Sequence, residues 1–402
     1  MNDAAYSHLV LPGSTIGILG GGQLGRMFAI AAAQLGYRVI VFSDKADCPA
    51  ANVAWRTVVG ELSDRDQLDE FASQCDVVTL EFENLDVDAV AYLATRTAVY
   101  PTADVLRIAQ DRRLEKQTFR DAGLAVTPFR AVNAHADLQR AIDELGLPVV
   151  LKTARDGYDG KGQWKIGVDE AADISRFVLD RPMIAEAWIS HQRELSVMIA
   201  RASDGQVAVY PTFENQHRDH ILDLTLWPAR IPDAIHAEAA ELAIAAAEAI
   251  SLVGLMCVEM FQGADNHLMI NEVAPRPHNS AHLTIEASQT SQFEQQVRVV
   301  CGLPLGETSL RVPAAAMVNL MGDLWRDGEP DWNSLLRVPG LHLHLYDKRQ
   351  AAPGRKMGHV TATGHDASQV AKELLTVRDS LLTRSLVTGS LVTGSLANAS
   401  QG

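Results

Sequence analysis

The stretch that decides the fold runs from Glu259 to Ser280, EMFQGADNHLMINEVAPRPHNS. It reads as two short strands, 255–261 and 267–273, joined by a tight loop at Gly263-Ala264-Asp265-Asn266. That loop length puts Glu259 opposite Ile270. Strand side chains alternate with period two, so Glu272 projects on the same face as Glu259, one diagonal step away. Two carboxylates on one face of an otherwise apolar hairpin repel each other unless a cation lies between them. Mg²⁺ suits that place, because it takes carboxylate oxygens and keeps phosphates as its other ligands. Asn271-Glu272 closes the second strand, and Pro275-Arg276-Pro277-His278-Asn279 follows. The pattern points to a metal–nucleotide site that runs into a substrate loop. On spacing alone, a solvated hairpin with surface acids explains it equally well.

The chain has 402 residues, too many for one ordinary core, so two or three domains are expected. Hydrophobic residues make up 47% of it, enough for packed α/β layers. The formal charge is −15 with both signs interspersed, which argues against nucleic acid or an anionic membrane as the main partner. Local arginines and lysines can still bind a phosphorylated substrate. Cys48, Cys75, Cys257 and Cys301 form no CxxC pair and read as reduced, packed thiols of a cytoplasmic protein. The first residues, MNDAAYSHLVLPGS, lack the pattern of a signal peptide. The Ala-rich run at 237–250 is interrupted by Glu238, Glu241 and Glu248 and reads as a packed amphipathic helix, not a membrane span.

An α/β unit opens the chain: a strand at 14–19, a glycine loop at 20–25, a helix at 26–35, and strands at 37–42 and 76–81. This alternation implies a parallel sheet covered by helices. A charged helical segment covers 104–122, and a strand at 148–153 begins the next domain. Beyond the turn Leu303-Pro304-Leu305-Gly306, further strands are expected at 314–320 and 341–346. The closing SLVTGSLVTGSLANASQG is small, uncharged and repetitive, and reads as a flexible tail.

Gly20-x-Gly22-x-x-Gly25 sits between a strand and a helix, with Asp44 after the second strand, at the spacing of a dinucleotide fingerprint. Its physical content is narrower. The glycines let backbone approach a ligand, and the helix start offers unpaired N–H groups to any anion. A purely structural turn is the plain alternative. Lys152 ends the apolar run Pro-Val-Val-Leu, and a lysine on a buried strand requires a compensating anion. Asp156-Gly-Tyr-Asp-Gly-Lys-Gly-Gln163 then has the composition of a mobile loop that closes over phosphates. Extended backbone at Glu186-Ala187-Trp188-Ile189 can pair with an adenine edge, and Glu194 can accept ribose hydroxyls.

The order buried Lys, Gly-rich loop, Glu-x-x-Ile hinge, Glu, then Glu…Asn-Glu resembles the ATP-grasp superfamily. Within it the chain is similar to the N5-carboxyaminoimidazole ribonucleotide synthetase family, from about Ser14 to about Thr376. The pieces that carry this resemblance are Gly20-Gly-Gly-Gln-Leu-Gly-Arg-Met27, Glu81-Phe-Glu-Asn84, Tyr158-Asp-Gly-Lys-Gly-Gln163, Asn271-Glu-Val-Ala-Pro-Arg-Pro-His-Asn-Ser280 and Gly354-Arg-Lys-Met-Gly-His359. The resemblance implies an α/β ATP-grasp fold in three domains: a parallel α/β N-terminal domain at 1–115, an ATP-grasp domain at 116–305 with a small lid near 125–190, and an α+β portion at 306–376, before a flexible tail at 377–402.

It also implies roles. ATP is held by Arg112, Lys152, the loop Gly157, Tyr158, Asp159, Gly160, Lys161, Gly162 and Gln163, the hinge Glu186, Ala187, Trp188 and Ile189, and Glu194, His217, Asn271 and Glu272. Mg²⁺, or Mn²⁺ in its place, bridges Glu259 and Glu272 to the phosphates. The substrate 5-aminoimidazole ribonucleotide meets Gly22, Gln23, Leu24, Glu83, Asn84, Asn279 and Ser280, with Tyr158 and Asp159 also at its base and ribose side. Arg276, His278, Lys348 and Arg355 surround its 5′-phosphate or bicarbonate. Lys152, Tyr158, Asp159 and Arg276 are the expected catalytic groups, and a homodimer is implied. The activity the resemblance implies is ATP- and bicarbonate-dependent carboxylation of the ribonucleotide by way of carboxyphosphate, in purine synthesis. A formate-using ATP-grasp transformylase is the rival within the fold. An NAD-dependent oxidoreductase rests only on the glycine loop and Asp44. A non-catalytic nucleotide-binding regulator has no use for an intact acid pair.

Overall fold

The computed structural model describes residues 9–157 and 161–392, with side chains described as far as 381. The first sheet contains β1 (Thr15–Leu19), β2 (Arg38–Ser43), β3 (Arg56–Val59), β4 (Val77–Leu80) and β5 (Ala98–Tyr100), in the order β3-β2-β1-β4-β5. Every neighbouring pair is parallel. The connecting helices α1 (Gln23–Gln34), α2 (Arg65–Ala72) and α3 (Val87–Leu93) cover the faces, which is why β1 and β4 are buried along their whole length. The strand order reverses between β1 and β4. Their C-terminal ends therefore flank a crevice, where ligands of open α/β sheets bind. Gly20–Gly22 and Glu81–Glu83 lie at that crevice.

The helical segment expected over 104–122 is two helices, α4 (Ala103–Ala109) and α5 (Arg112–Asp121). Asp111 makes the break, because its carboxylate accepts the Arg113 N–H and caps a new helix start. The expected domain boundary at 115 therefore falls inside α5.

A small antiparallel sheet follows, built from β6 (Phe129–Val132), β7 (Val149–Thr153), β8 (Gln163–Ile166) and β9 (Met183–Ala187), in the order β6-β9-β7-β8. Helix α6 (His135–Leu145) covers one face through Leu138 and Ala141, which share a core with Val149, Leu151 and Ile166; α7 (Val168–Ala171) is a single turn.

The large sheet comprises β10 (His191–Arg201), β11 (Val207–Val209), β12 (Phe213–Arg218), β13 (Ile221–Trp227), β14 (Gly254–Gly263), β15 (Leu268–Ala274), β16 (Ala314–Met321), β17 (Leu341–Leu345) and β18 (Lys356–Gly364). Its order is β15-β14-β10-β12-β13-β16-β18-β17, with β11 on β10. Because β16 pairs with β13, the sheet continues across the domain boundary expected at 305. The Ala-rich run becomes α8 (Asp233–Ala249), whose Ala239, Ala243, Ala246 and Ala247 are buried beside Val197, Ile199 and Met256. No helix among the described residues is long and apolar enough to cross a membrane. After the short α9 (Thr284–Ala287), α10 (Gln292–Val300) packs on α1, and Phe28, Phe293 and Val297 share one buried core. That contact fastens the first sheet to the large one. The chain ends through α11 (Trp332–Leu336) and α12 (Ala367–Val392). The expected start of a flexible tail at 377 falls inside α12. Leu381 is buried against the sheet, and buried Arg378 pairs with Asp223 of β13.

Candidate active site

The β14–β15 hairpin differs from the expected register. Phe261 pairs with Met269 and Met260 with Ile270, but Glu259 pairs with Glu272, not Ile270. Asn271 is the extra residue, a β-bulge on β15. The bulge has a consequence that alternation alone hides. It turns Asn271 and Glu272 into the same cavity as Glu259, of about 580 Å³. Glu259 is bound by His278, at 3.0 Å from Nε2. Burial would raise its carboxyl, but His278 and His217 outweigh burial and hold it below the usual range. Against the same burial, Cys257 and Glu259 raise the His278 imidazole to about 10.

Arg112, Lys152 and Glu194 line the same cavity as this acid pair. Arg112 Nη2 donates to Glu272 Oε2 at 3.0 Å and to the Gly157 carbonyl at 3.2 Å, tying the start of the glycine loop to the hairpin. Lys152 finds its compensating anion inside the protein: its Nζ lies 2.9 Å from Glu186 Oε2. Glu186 is also approached by Lys116, and although burial opposes ionisation, the two lysines bring its carboxyl down to about 2. Glu194 accepts from His191 and His217, which offset its burial and lower it to about 2. Gln163, at the other end of the glycine loop, reaches His220 at 3.5 Å.

The N-terminal domain contributes Glu83. Its carboxylate takes the Arg276 fork from both sides, Nε to Oε2 and Nη2 to Oε1, the second at 3.0 Å. Burial raises the Glu83 carboxyl, and Arg276 more than reverses that. The glycine loop itself corrects the sequence reading. Two of its N–H groups are already taken inside the protein. Buried Glu81 accepts from Gly22 N–H at 2.5 Å and from Leu24 N–H at 3.1 Å. The glycines make room for Glu81 and Cys48, since a Cβ at Gly20 or Gly22 would meet the Glu81 carboxylate and one at Gly21 the Cys48 side chain. The dinucleotide reading thereby loses two of the N–H donors it relies on.

Gln23, Leu24, Glu83, Asn84, Arg112, Lys152, Gly157, Lys161, Gln163, Glu194, His217, Glu259, Asn271, Glu272, Arg276, His278 and Asn279 all line the one cavity. Gly22, Lys348 and Arg355 line a second, of about 790 Å³, which shares the wall Glu81–Phe82 with the first. Lys348 and Arg355 line this second space, and Arg276 and His278 line the first, on the other side of Glu81–Phe82. Ser280 faces neither cavity; it is buried, bonded to Ser196 and His278. Glu186 is buried behind Lys152. At the hinge, the N–H groups of Ala187 and Trp188 are taken by the carbonyls of Pro128 and Pro148, so a ligand edge is left with the other polar groups of Glu186–Ile189. Gly162 packs on Thr153, with φ +72°. Tyr158, Asp159 and Gly160 lie outside the described residues. Two groups escaped the sequence reading, Glu115 and Lys116 of α5. Their signal was present in the spacing with Arg112, which places all three on one helix face.

The donor set can be tested against Mg²⁺. Glu259 and Glu272 stand directly opposite each other, and the buried Asn271 Oδ1 beside them has no hydrogen-bond partner. No cluster of three or more His, Cys, Asp or Glu that could hold a metal occurs among the described residues. Two carboxylates and an amide oxygen fit an ion that completes its shell with phosphates and water, and not a closed protein cage.

A lid sheet carrying Lys152, facing a hairpin that carries paired acids, defines an ATP-grasp enzyme. The chain matches the ATP-grasp domain over residues 117–293, the ribonucleotide synthetase preATP-grasp domain over 13–110, and the phosphoribosylaminoimidazole carboxylase C-terminal domain over 315–373. It is 42% identical over 354 residues to the N5-carboxyaminoimidazole ribonucleotide synthase of Bacillus subtilis, covering 88% of this chain and 92% of that one. Among solved structures, it is similar to the Staphylococcus aureus N5-carboxyaminoimidazole synthetase complexed with ADP, with TM-score 0.87, 35% identity and coverage of 94% and 100%. It is also similar to the Aspergillus clavatus N5-carboxyaminoimidazole synthase in complex with ADP and 5-aminoimidazole ribonucleotide, with TM-score 0.83, 33% identity and coverage of 91% and 99%. The chain belongs to the N5-carboxyaminoimidazole ribonucleotide synthase family.

Proposed function

We infer that this chain is an ATP-dependent ligase that carboxylates the exocyclic amine of 5-aminoimidazole ribonucleotide in purine biosynthesis. The observation that carries the residue-level reading is the Glu83–Arg276 pair. It joins the crevice of the first sheet to the acid hairpin, so a ribonucleotide and a nucleoside triphosphate can meet at one point. In this reading the adenine lies at the hinge Glu186–Ile189 and the ribose at Glu194. The phosphates lie against Lys152, Arg112 and the glycine loop. Glu259, Glu272 and Asn271 would hold Mg²⁺, which supplies charge neutralisation on the triphosphate.

The two cavities divide the ribonucleotide. Lys348 and Arg355 receive its 5′-phosphate, while the aminoimidazole reaches past Glu81–Phe82 toward Arg276. Bicarbonate oxygen attacks the γ-phosphorus and ADP leaves, giving carboxyphosphate. The substrate amine then attacks the carboxyl carbon. The new C–N bond forms, the C–O bond to phosphate breaks, and the amine gives up a proton. Arg276 matches two oxygens of bicarbonate or carboxyphosphate with its planar fork, once Glu83 yields one edge of it. Asp159 is the candidate to orient the amine and take its proton, and Tyr158 to contact the base. Water destroys carboxyphosphate, so the loop tethered at Gly157 and Gln163 must close during the reaction. A homodimer and a cytoplasmic location belong to the same reading. The test is ADP formation with bicarbonate and aminoimidazole ribonucleotide, omitting each in turn. ADP release that needs neither, or that needs formate instead, would refute the assignment.

A further inference from the structure

Helix α5 aims three charged side chains at one short piece of β15. Arg112 reaches Glu272, Glu115 Oε2 accepts the Val273 N–H at 3.2 Å, and Lys116 Nζ donates to the Asn271 carbonyl at 2.8 Å. Lys116 also donates to Thr127 Oγ1 at 2.5 Å. It is only 1% exposed and lines neither cavity, so it does not touch a bound substrate. A buried lysine costs several kcal/mol of desolvation and needs a return. Its remaining neighbour supplies one. Glu186 Oε2 lies 3.7 Å from Lys116 Nζ and 2.9 Å from Lys152 Nζ, so two lysines share a single carboxylate. Were Lys116 absent, Glu186 would neutralise Lys152 alone. With Lys116 present, the Glu186 carboxylate is divided between two lysines, and Lys152 is the member that faces the cavity.

We propose that Lys116 is a positioning residue for phosphoryl transfer: by sharing Glu186 it leaves Lys152 charged toward the triphosphate, and by holding the Asn271 carbonyl it fixes the bulge that aims Asn271 and Glu272. The inference rests on the reading of Lys152 as a phosphate ligand. Lys116→Met should raise the KM for ATP by about tenfold and leave the KM for the ribonucleotide within about twofold. The informative comparison is Lys116→Met/Glu186→Gln. Removing the carboxylate frees Lys152 again, so the double variant should bind ATP better than Lys116→Met alone. A role in packing only makes the opposite forecast, because a second buried change adds damage. If Lys116→Met alone does not fold, Lys116→Gln serves as the single variant in the same comparison. Because Glu186 belongs to the hinge, the readout is relative: a double variant whose KM for ATP is at least about threefold below that of the single variant supports the proposal, and one equal to it or higher overturns it. A folded Lys116→Met enzyme with unchanged ATP kinetics overturns it as well. Lys152→Met separates the two readings. If it leaves the KM for ATP unchanged, the ATP site itself is misplaced; if it weakens ATP while Lys116→Met does not, only this inference falls.

Discussion

Gly22→Ala tests what the glycine loop is for. Gly22 has φ −80° and ψ −157°, a conformation open to any residue, so the substitution carries no backbone strain. Space is the constraint. A Cβ there would overlap Glu81 Oε1 and lie 3.1 Å from Cδ and 3.2 Å from Oε2. The carboxylate must retreat and release the Gly22 and Leu24 N–H groups. Burial pushes the Glu81 carboxyl up, toward its neutral form, so each hydrogen bond counts for about 1 kcal/mol. Losing two of them leaves a destabilisation of roughly 2 kcal/mol. For an N-terminal domain of roughly 100 residues that is a fall of about 8–16 °C in Tm, read by calorimetry on the ligand-free protein. Shortening the partner in Gly22→Ala/Glu81→Asp should restore part of the loss, an interaction that a double-mutant cycle measures. A loop that makes room for a bound pyrophosphate gives a different outcome: the ligand-free variant melts like the parent, and only ligand affinity changes. A Tm within about 2 °C of the parent would refute the reasoning.

Three further outcomes follow from the same geometry. Glu272→Gln should lower ADP formation by about a hundredfold or more while the fold survives, because one of two facing carboxylates is lost; near-normal ADP release by the folded variant would remove the metal assignment. Arg355→Ala should raise the KM for aminoimidazole ribonucleotide, with some loss of kcat, and leave the KM for ATP nearly unchanged, because Arg355 lines the cavity beyond Glu81–Phe82 and not the one at Lys152; steady-state kinetics that show the reverse would mean the two ends are exchanged. Glu186 has a folded pKa of about 2 against an ordinary value of 4.5, so its contribution to stability is present above about 4.5 and is lost as pH falls toward 2. Glu186→Gln should flatten the acid limb of the stability curve in that window, and an unchanged limb would show that the carboxylate is not paired as described.

What could be read from the chain, and what could not, divides along the range of the interaction. The acid hairpin was legible because its strands, turn and charges are local. Its register was not, because the bulge at Asn271 lies among contacts distant in sequence, among them the bond from Lys116 on a helix some 155 positions away. Lys152 was legible because a lysine closing an apolar run breaks a local pattern. Lys116 was not, because a lysine on a charged helix breaks none; helical spacing tells which residues share a face, but not what that face meets. The glycine loop misled for the same reason. Three glycines between a strand and a helix announce that something comes close, and nothing nearby in sequence says that Glu81, 59 positions on, is what arrives. Strand β3, four residues with no clear alternation of burial, left no periodic signal either. Family motifs bridge these gaps by carrying long-range contacts in compressed form, which is why Glu81-Phe-Glu-Asn84 and the residues around Arg276 pointed to one site before their pairing was visible. They compress only the residues they contain. Lys116 stands outside every such motif quoted for this chain, and its charge becomes intelligible only when Glu186 and Lys152 are seen sharing one oxygen.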